Sequence, residues 1–230
     1  MTSVLVRALA TGAGLAGLLV GAVGFAHTTS GRPLLRAFTN MAHGGCPFGY
    51  DKPASPAERE RARSSFARSH HGSERAMSRP ALGFQLDQTT RGDVLAAMAR
   101  HGVACTAAKG LSDMTCNGVP SDALGGAPGS DRTLWLTFGE RSQLLSVIAI
   151  SRTSAASAIS SAYEATEREL DQQAGPATTT QGDASPAVLS SGALRQASAE
   201  FRFSNYYALT RVTNLGTGFV LTEEYRSLPG

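Results

Sequence analysis

Apolar residues along this chain change period several times, and each change marks a predicted element. Ala8 to Ala26 is a stretch of 19 residues without a charged side chain, apolar or small all round rather than on one face. At ~1.5 Å per residue it is long enough to cross a bilayer as a helix. Gly24-Phe25-Ala26 also places small residues where a signal peptidase would cut, so residues 1–26 read either as a cleaved signal peptide or as a single membrane anchor. Residues 27–54 lose all periodicity and are rich in Gly, Pro and small polar residues, the composition of an irregular tether. Helical spacing then begins. Ser55-Pro56-Ala57-Glu58 is a capping box with proline at the first helical position, and His71-Gly72 is a stop, which together predict a short helix over 56–71. Phe66 and a few alanines are all that this helix offers to a core.

From Ala81 to Leu228 the patterns are those of a packed domain. Leu82, Phe84 and Leu86 alternate as an extended entry. Thr90 and Asp93 then cap a helix that carries Val94, Leu95, Met98 and Ala99 at helical spacing and stops at Gly102. Residues 117–131 read as a connector. Leu134, Leu136 and Phe138 alternate with Thr133, Trp135 and Thr137, and a turn at Gly139–Ser142 leads into a second apolar strand, together predicting a hairpin. A helix follows over 155–174, with Ile159, Ala162, Tyr163, Thr166 and Leu170 forming one stripe. Residues 177–192 are low in complexity and predict a mobile connection. The segment from Ala199 to Val212 reads as one strand, turned at Asn214–Gly216 and returning through Leu228. The expected fold is therefore α+β: an antiparallel sheet of about four to five strands packed by two helices. No internal repeat is visible in the sequence.

Charge divides the chain in the same places. The net charge of +3 is the sum of an arginine-rich 27–80, with nine Lys/Arg against four Asp/Glu, and a mildly acidic 81–230, with eleven against fourteen, besides Arg7 in the first segment. A basic stretch beside an apolar segment suits anionic headgroups. Nucleic acid is not expected, because arginines alternate with glutamates in 58–75 and stacking aromatics are nearly absent there. Three cysteines leave one over if two pair. Cys105 and Cys116, eleven positions apart around a turn at Lys109-Gly110, are the natural pair, and a disulfide between them would staple a hairpin in an oxidising compartment.

The order of elements over 81–151 resembles the BamE-like (SmpA/OmlA) envelope domain. Thr90, Asp93 and Val94 match its helix cap, and Leu134, Leu136, Phe138, Leu145 and Val147 match its strand pattern. The resemblance implies a small non-enzymatic envelope domain that binds or stabilises other proteins through a sheet face or edge. The chain departs from that pattern in its cysteine pair, in about eighty further residues, and in lacking a lipobox before Cys46.

Candidate chemistry is sparse. No GxSxG or SxxK is present, so no nucleophilic serine or cysteine is indicated and no catalytic residue is assigned. Glu223 and Glu224 are neighbours in a strand and face opposite sides, so they cannot flank one bond. Glu223 shares the face of Phe219, Leu221 and Tyr225, and burial there would call for a partner such as Arg202 or Arg211. His43, Cys46, His70 and His71 are the weak candidates for a metal or haem. No cofactor is assigned. The leading expectation is a non-catalytic, membrane-targeted protein with an extracytoplasmic, periplasmic body that binds another envelope protein, with Trp135, Tyr206 and Tyr207 as recognition aromatics. The alternative is a thiol- or metal-handling protein built on His43, Cys46, His70 and His71.

Overall fold

Strand-forming alternation dominates this chain, and in the computed structural model it yields more strands than the sequence reading counts. Residues 55–107, 112–124 and 131–229 are described. The apolar segment 8–26, the tether 27–54, His43 and Cys46 lie outside them. Among the described residues no helix is long and apolar enough to cross a membrane.

The fold is α+β. Helix α1 (Pro56–His70) opens on the Ser55 capping box, in which the Ser55 hydroxyl accepts from the Glu58 amide and the Glu58 carboxylate accepts from the Ser55 amide. A small ladder of β1 (Pro80–Ala81) and β2 (Phe84–Gln85) leads to α2 (Arg91–Arg100), capped reciprocally by Thr90 and Asp93. Strands β3 (Cys105–Ala107), β4 (Asp113–Pro120), β5 (Asp131–Phe138) and β6 (Leu144–Thr153) follow as an antiparallel meander. Then comes α3 (Ala156–Gln173), and after it β7 (Thr179–Gln181), the one-turn α4 (Pro186–Leu189), β8 (Gln196–Arg202), β9 (Tyr206–Asn214) and β10 (Phe219–Ser227).

All eight strands from β3 to β10 form one sheet, in the order β3-β4-β5-β6-β10-β9-β8-β7. The architecture is thus one motif used twice, a helix followed by a four-strand meander. The two meanders run inward from opposite edges and meet where β10 pairs with β6. The repeat lies in topology, and no sequence similarity between the halves accompanies it. Both edge strands have only three residues, which limits the open hydrogen-bonding edge offered to other chains.

Three sequence expectations change here. Four to five strands become eight: β3, β4 and β7 are added, and the supposed strand from Ala199 to Val212 breaks into two at Phe203–Asn205, where the Phe203 amide donates to the Tyr206 carbonyl and turns the chain back. The apolar residues on either side of that turn continue one alternation, which hid it. The connector 117–131 is partly strand, since β4 runs through Pro120 across a bulge where Gly118 takes φ +66°, a backbone region that glycine enters without steric cost. The stretch 177–192 supplies edge strand β7 and α4. It is held by Leu189, which is fully buried, and by Asn214 Nδ2 donating to the Leu189 carbonyl at 2.8 Å.

One face of the sheet, the inner face, carries the main core. The stripe of α3 named above is buried, and its Thr166 reaches β10 directly. Val94 and Met98 of α2 join the same cluster, as do Leu134, Leu136, Val147, Ala149, Leu221, Ala208 and Phe201 from the strands. Each large apolar side chain so buried stabilises the fold by about 1.5–3 kcal/mol relative to exposure. Alanines at 149, 197, 199 and 208 keep this face shallow enough for a helix to seat closely.

Candidate functional site

The opposite, outer face is assembled by strand parity alone, because side chains alternate and neighbouring strands are in register. Its central row runs Thr115 on β4, Trp135 on β5, Ile148 on β6, Glu224 on β10, Leu209 on β9 and Glu200 on β8. Above and below Trp135 on its own strand stand Thr133 and Thr137. Trp135, the one tryptophan of the chain, is 43% exposed, while Ile148, Ile150, Val220 and Leu209 are half-buried. The remaining large exposed apolar residues among those described, such as Met77, Leu194 and Leu215, lie outside this sheet face.

Charge on this face is partly neutralised within single strands. Glu200 and Arg202, two apart on β8, pair at 2.7 Å, and Glu224 pairs with Arg226 on β10. Hydrogen bonding to Glu200 raises the Arg202 guanidinium above its ordinary range and keeps it charged. The neighbours of the indole on this face are hydroxyls and aliphatic side chains.

Helix α1 lies over the β9 side of this outer face. Phe66 and Ala67 pack on Tyr207, Leu209 and Leu228, a cluster separate from the main core. The Phe66 ring meets Tyr207 edge-on at 5.1 Å, His70 stacks on Phe66 at 4.0 Å, and the Arg226 guanidinium sits 4.4 Å from the centre of the Phe66 ring.

The sequence candidates can now be placed. Cys105 and Cys116 are disulfide-bonded and sit directly opposite each other on β3 and β4, with Cys116 fully buried. Of the three recognition aromatics, Trp135 alone is exposed. Tyr206 belongs to the inner face, fully buried, its hydroxyl donating to the Pro80 carbonyl at 2.6 Å, and burial raises its phenol well above the ordinary range. Tyr207 is on the outer face but lies beneath α1, and burial raises its phenol as well. Adjacent residues in a strand point to opposite sides, so Tyr206 and Tyr207 do not form one aromatic patch. His70 is engaged through Nδ1 with the Phe66 carbonyl at 3.0 Å, and its ring is packed between Phe66 and Tyr207. His71 caps the helix. Among the described residues no three His, Cys, Asp or Glu side chains are grouped to hold a metal ion.

Sequence reasoning placed Glu223 on the inner face but not its partner. Arg202 and Arg211 both stand on the outer face, whereas Arg132 of β5 reaches across β6 to bring Nη2 within 3.4 Å of Glu223 Oε2. Both side chains are at most 2% exposed. Glu223 Oε1 accepts from Thr166 of α3 and from the Tyr225 hydroxyl, each at 3.1 Å, and Arg132 Nε donates to Ser151 at 3.1 Å. Burial first, then the Glu223 carboxylate, raises the Tyr225 phenol well above its usual range, which keeps it a hydrogen-bond donor. The signal for Arg132 was in the alternation, since it shares parity with Leu134, Leu136 and Phe138. Neither charge reaches solvent, and the pair with its hydroxyl partners ties α3 and the two meanders together.

Compared with known protein families, with curated proteins and with solved structures, the chain matches none.

Proposed function

We propose that this chain is a non-catalytic, membrane-targeted protein whose extracytoplasmic body binds another envelope protein through the outer face of its sheet. The reading is supported by one observation: the single tryptophan stands exposed on β5, within the sheet rather than at its edge, on the face opposite the main core. Aromatic residues set among small hydroxylated and aliphatic neighbours are the usual anchors of protein interfaces. The BamE-like resemblance of residues 81–151 belongs to the same proposal, supported by a Thr90–Asp93-capped helix leading into an antiparallel meander. The apolar segment 8–26 would supply membrane attachment or export.

The test is site-specific photo-crosslinking in the native host, with the crosslinker at Thr222 on the outer face or at Leu95 on α2. A discrete adduct at Thr222, lost when Trp135→Ala is added and absent from Leu95, supports the reading. An adduct at Thr222 that Trp135→Ala leaves unchanged, or none at all, refutes it.

A further inference from the structure

Helix α1 and the rest of the body are built differently. In α1 only Ala67 is buried, whereas α3 buries six side chains against the sheet. The apolar contacts of α1 form their own small cluster with Tyr207, Leu209 and Leu228, outside the continuous core. His70 of α1 also meets the Tyr207 ring edge-on at 4.9 Å. Arg63 donates to the Ser227 carbonyl and hydroxyl at 3.4 Å, and Arg226 lies over Phe66.

Immediately after the helix the attachment becomes rigid. The Gly72 amide donates to the Phe203 carbonyl, Ser204 donates to the Glu74 carbonyl at 2.6 Å, and the Ala76 amide donates to Asn205 Oδ1 at 2.9 Å. A Cβ at Gly72 would stand 2.0 Å from the Arg202 carbonyl oxygen, so only glycine permits this close approach. A weakly held helix ends at a firmly held joint.

We propose that α1 is a releasable cover of the outer face. It lifts as a unit about His71–Gly72 while the eight-stranded sheet stays folded, and so uncovers Tyr207, Leu209 and Leu228. Leu209 lies in the row of Trp135 and Ile148, with the Glu224–Arg226 pair of β10 between, so release adds a second apolar area on β9 beside that of β5 and β6. The use of that area rests on the binding role proposed above. The opening itself does not.

The experiment is hydrogen–deuterium exchange of the full chain, read by mass spectrometry, for the wild type, Phe66→Ala and Phe66→Leu. Amides of residues 59–70 are expected to exchange at least ~100-fold faster than those in the β9–β10 ladder, because a small cluster opens well below the global unfolding free energy. Phe66→Ala is expected to speed α1 exchange by a further ~10-fold or more through the lost aromatic contacts, with Phe66→Leu intermediate and β9–β10 exchange unchanged in both. Exchange of α1 in step with β9–β10, or a Phe66→Ala variant that speeds both segments together, would overturn the proposal. In the crosslinking assay, Phe66→Ala should raise the Thr222 adduct. Fast α1 exchange with no Thr222 adduct would leave the releasable cover standing and remove the binding role.

Discussion

Glu223→Gln is the most informative single change, because it removes one charge and little else. Glutamine is nearly isosteric and its amide oxygen can still accept from Thr166 and Tyr225, both now at 3.1 Å. What it cannot do is neutralise Arg132, which is 2% exposed and otherwise hydrogen-bonded through Nε to Ser151. An uncompensated buried cation costs about 3–5 kcal/mol. With a urea dependence of about 2 kcal/mol per molar, the unfolding midpoint should fall by about 1.5–2.5 M. Arg132→Met should also destabilise, but by less, because the Glu223 carboxyl keeps its two hydroxyl donors, Thr166 and Tyr225. The double variant, with neither charge, is expected within about 1.5 kcal/mol of the wild type, since well-packed neutral groups often replace a buried pair at small cost. The assay is urea unfolding at pH 7 followed by far-ultraviolet circular dichroism, with Trp135 fluorescence as a second probe. Two single changes that each cost under ~1 kcal/mol, or that add without coupling, would show that the pair does not hold the two meanders and α3 together.

Three further outcomes follow from particular residues. Reducing the Cys105–Cys116 disulfide, or replacing both cysteines by serine, should cost about 3 kcal/mol at most from loop closure and should loosen edge strand β3 first, as seen by amide exchange at 105–107. Burial and then Glu167 push Tyr163 up to about 12, so its contribution to stability is whole below pH 10 and is lost as pH rises from 10 towards 12. In the difference in absorbance at 295 nm between wild type and Tyr163→Phe, the Tyr163 step should accordingly coincide with alkaline unfolding, and a difference step near 10 in the folded protein would refute its burial. Hydrogen bonds from Thr90 hold the Asp93 carboxyl below its usual range, so its contribution is present at neutral pH and lost as pH falls through that lowered value. Thr90→Ala removes the hydroxyl donor and keeps the backbone one, so it should reduce this acid-side loss, measured as the pH dependence of the thermal midpoint below pH 5.

What was legible in the sequence was local. The Ser55 and Thr90 caps, the α3 stripe, the β5–β6 hairpin and the cysteine pair each depend on residues within about twenty positions of one another, and each is present. Parity also put Trp135 on the threonine face of β5, where it is exposed. The sheet order was not legible, because β10 pairs with a strand some seventy residues earlier and nothing in either segment names the other. Arg132 was passed over although its parity pointed inward, since a charge in an apolar row makes sense only when its distant counter-charge is known. Tyr207 read as a surface aromatic for a similar reason: its cover is α1, a helix too polar to announce that it docks anywhere.

The position of β10 between β6 and β9 has a consequence for how the protein is made. Synthesis proceeds from the amino end, so β3 to β6 and then β7 to β9 emerge while the strand that joins them is still inside the ribosome. Until Phe219–Ser227 is free, β6 and β9 both present long unpaired edges of nine or ten residues, and Arg132 waits for the carboxylate that neutralises it. Two half-sheets with open edges invite pairing between nascent chains. A chain lacking Phe219–Ser227 is therefore expected to aggregate through its two open half-sheet edges rather than adopt a slightly shortened native fold.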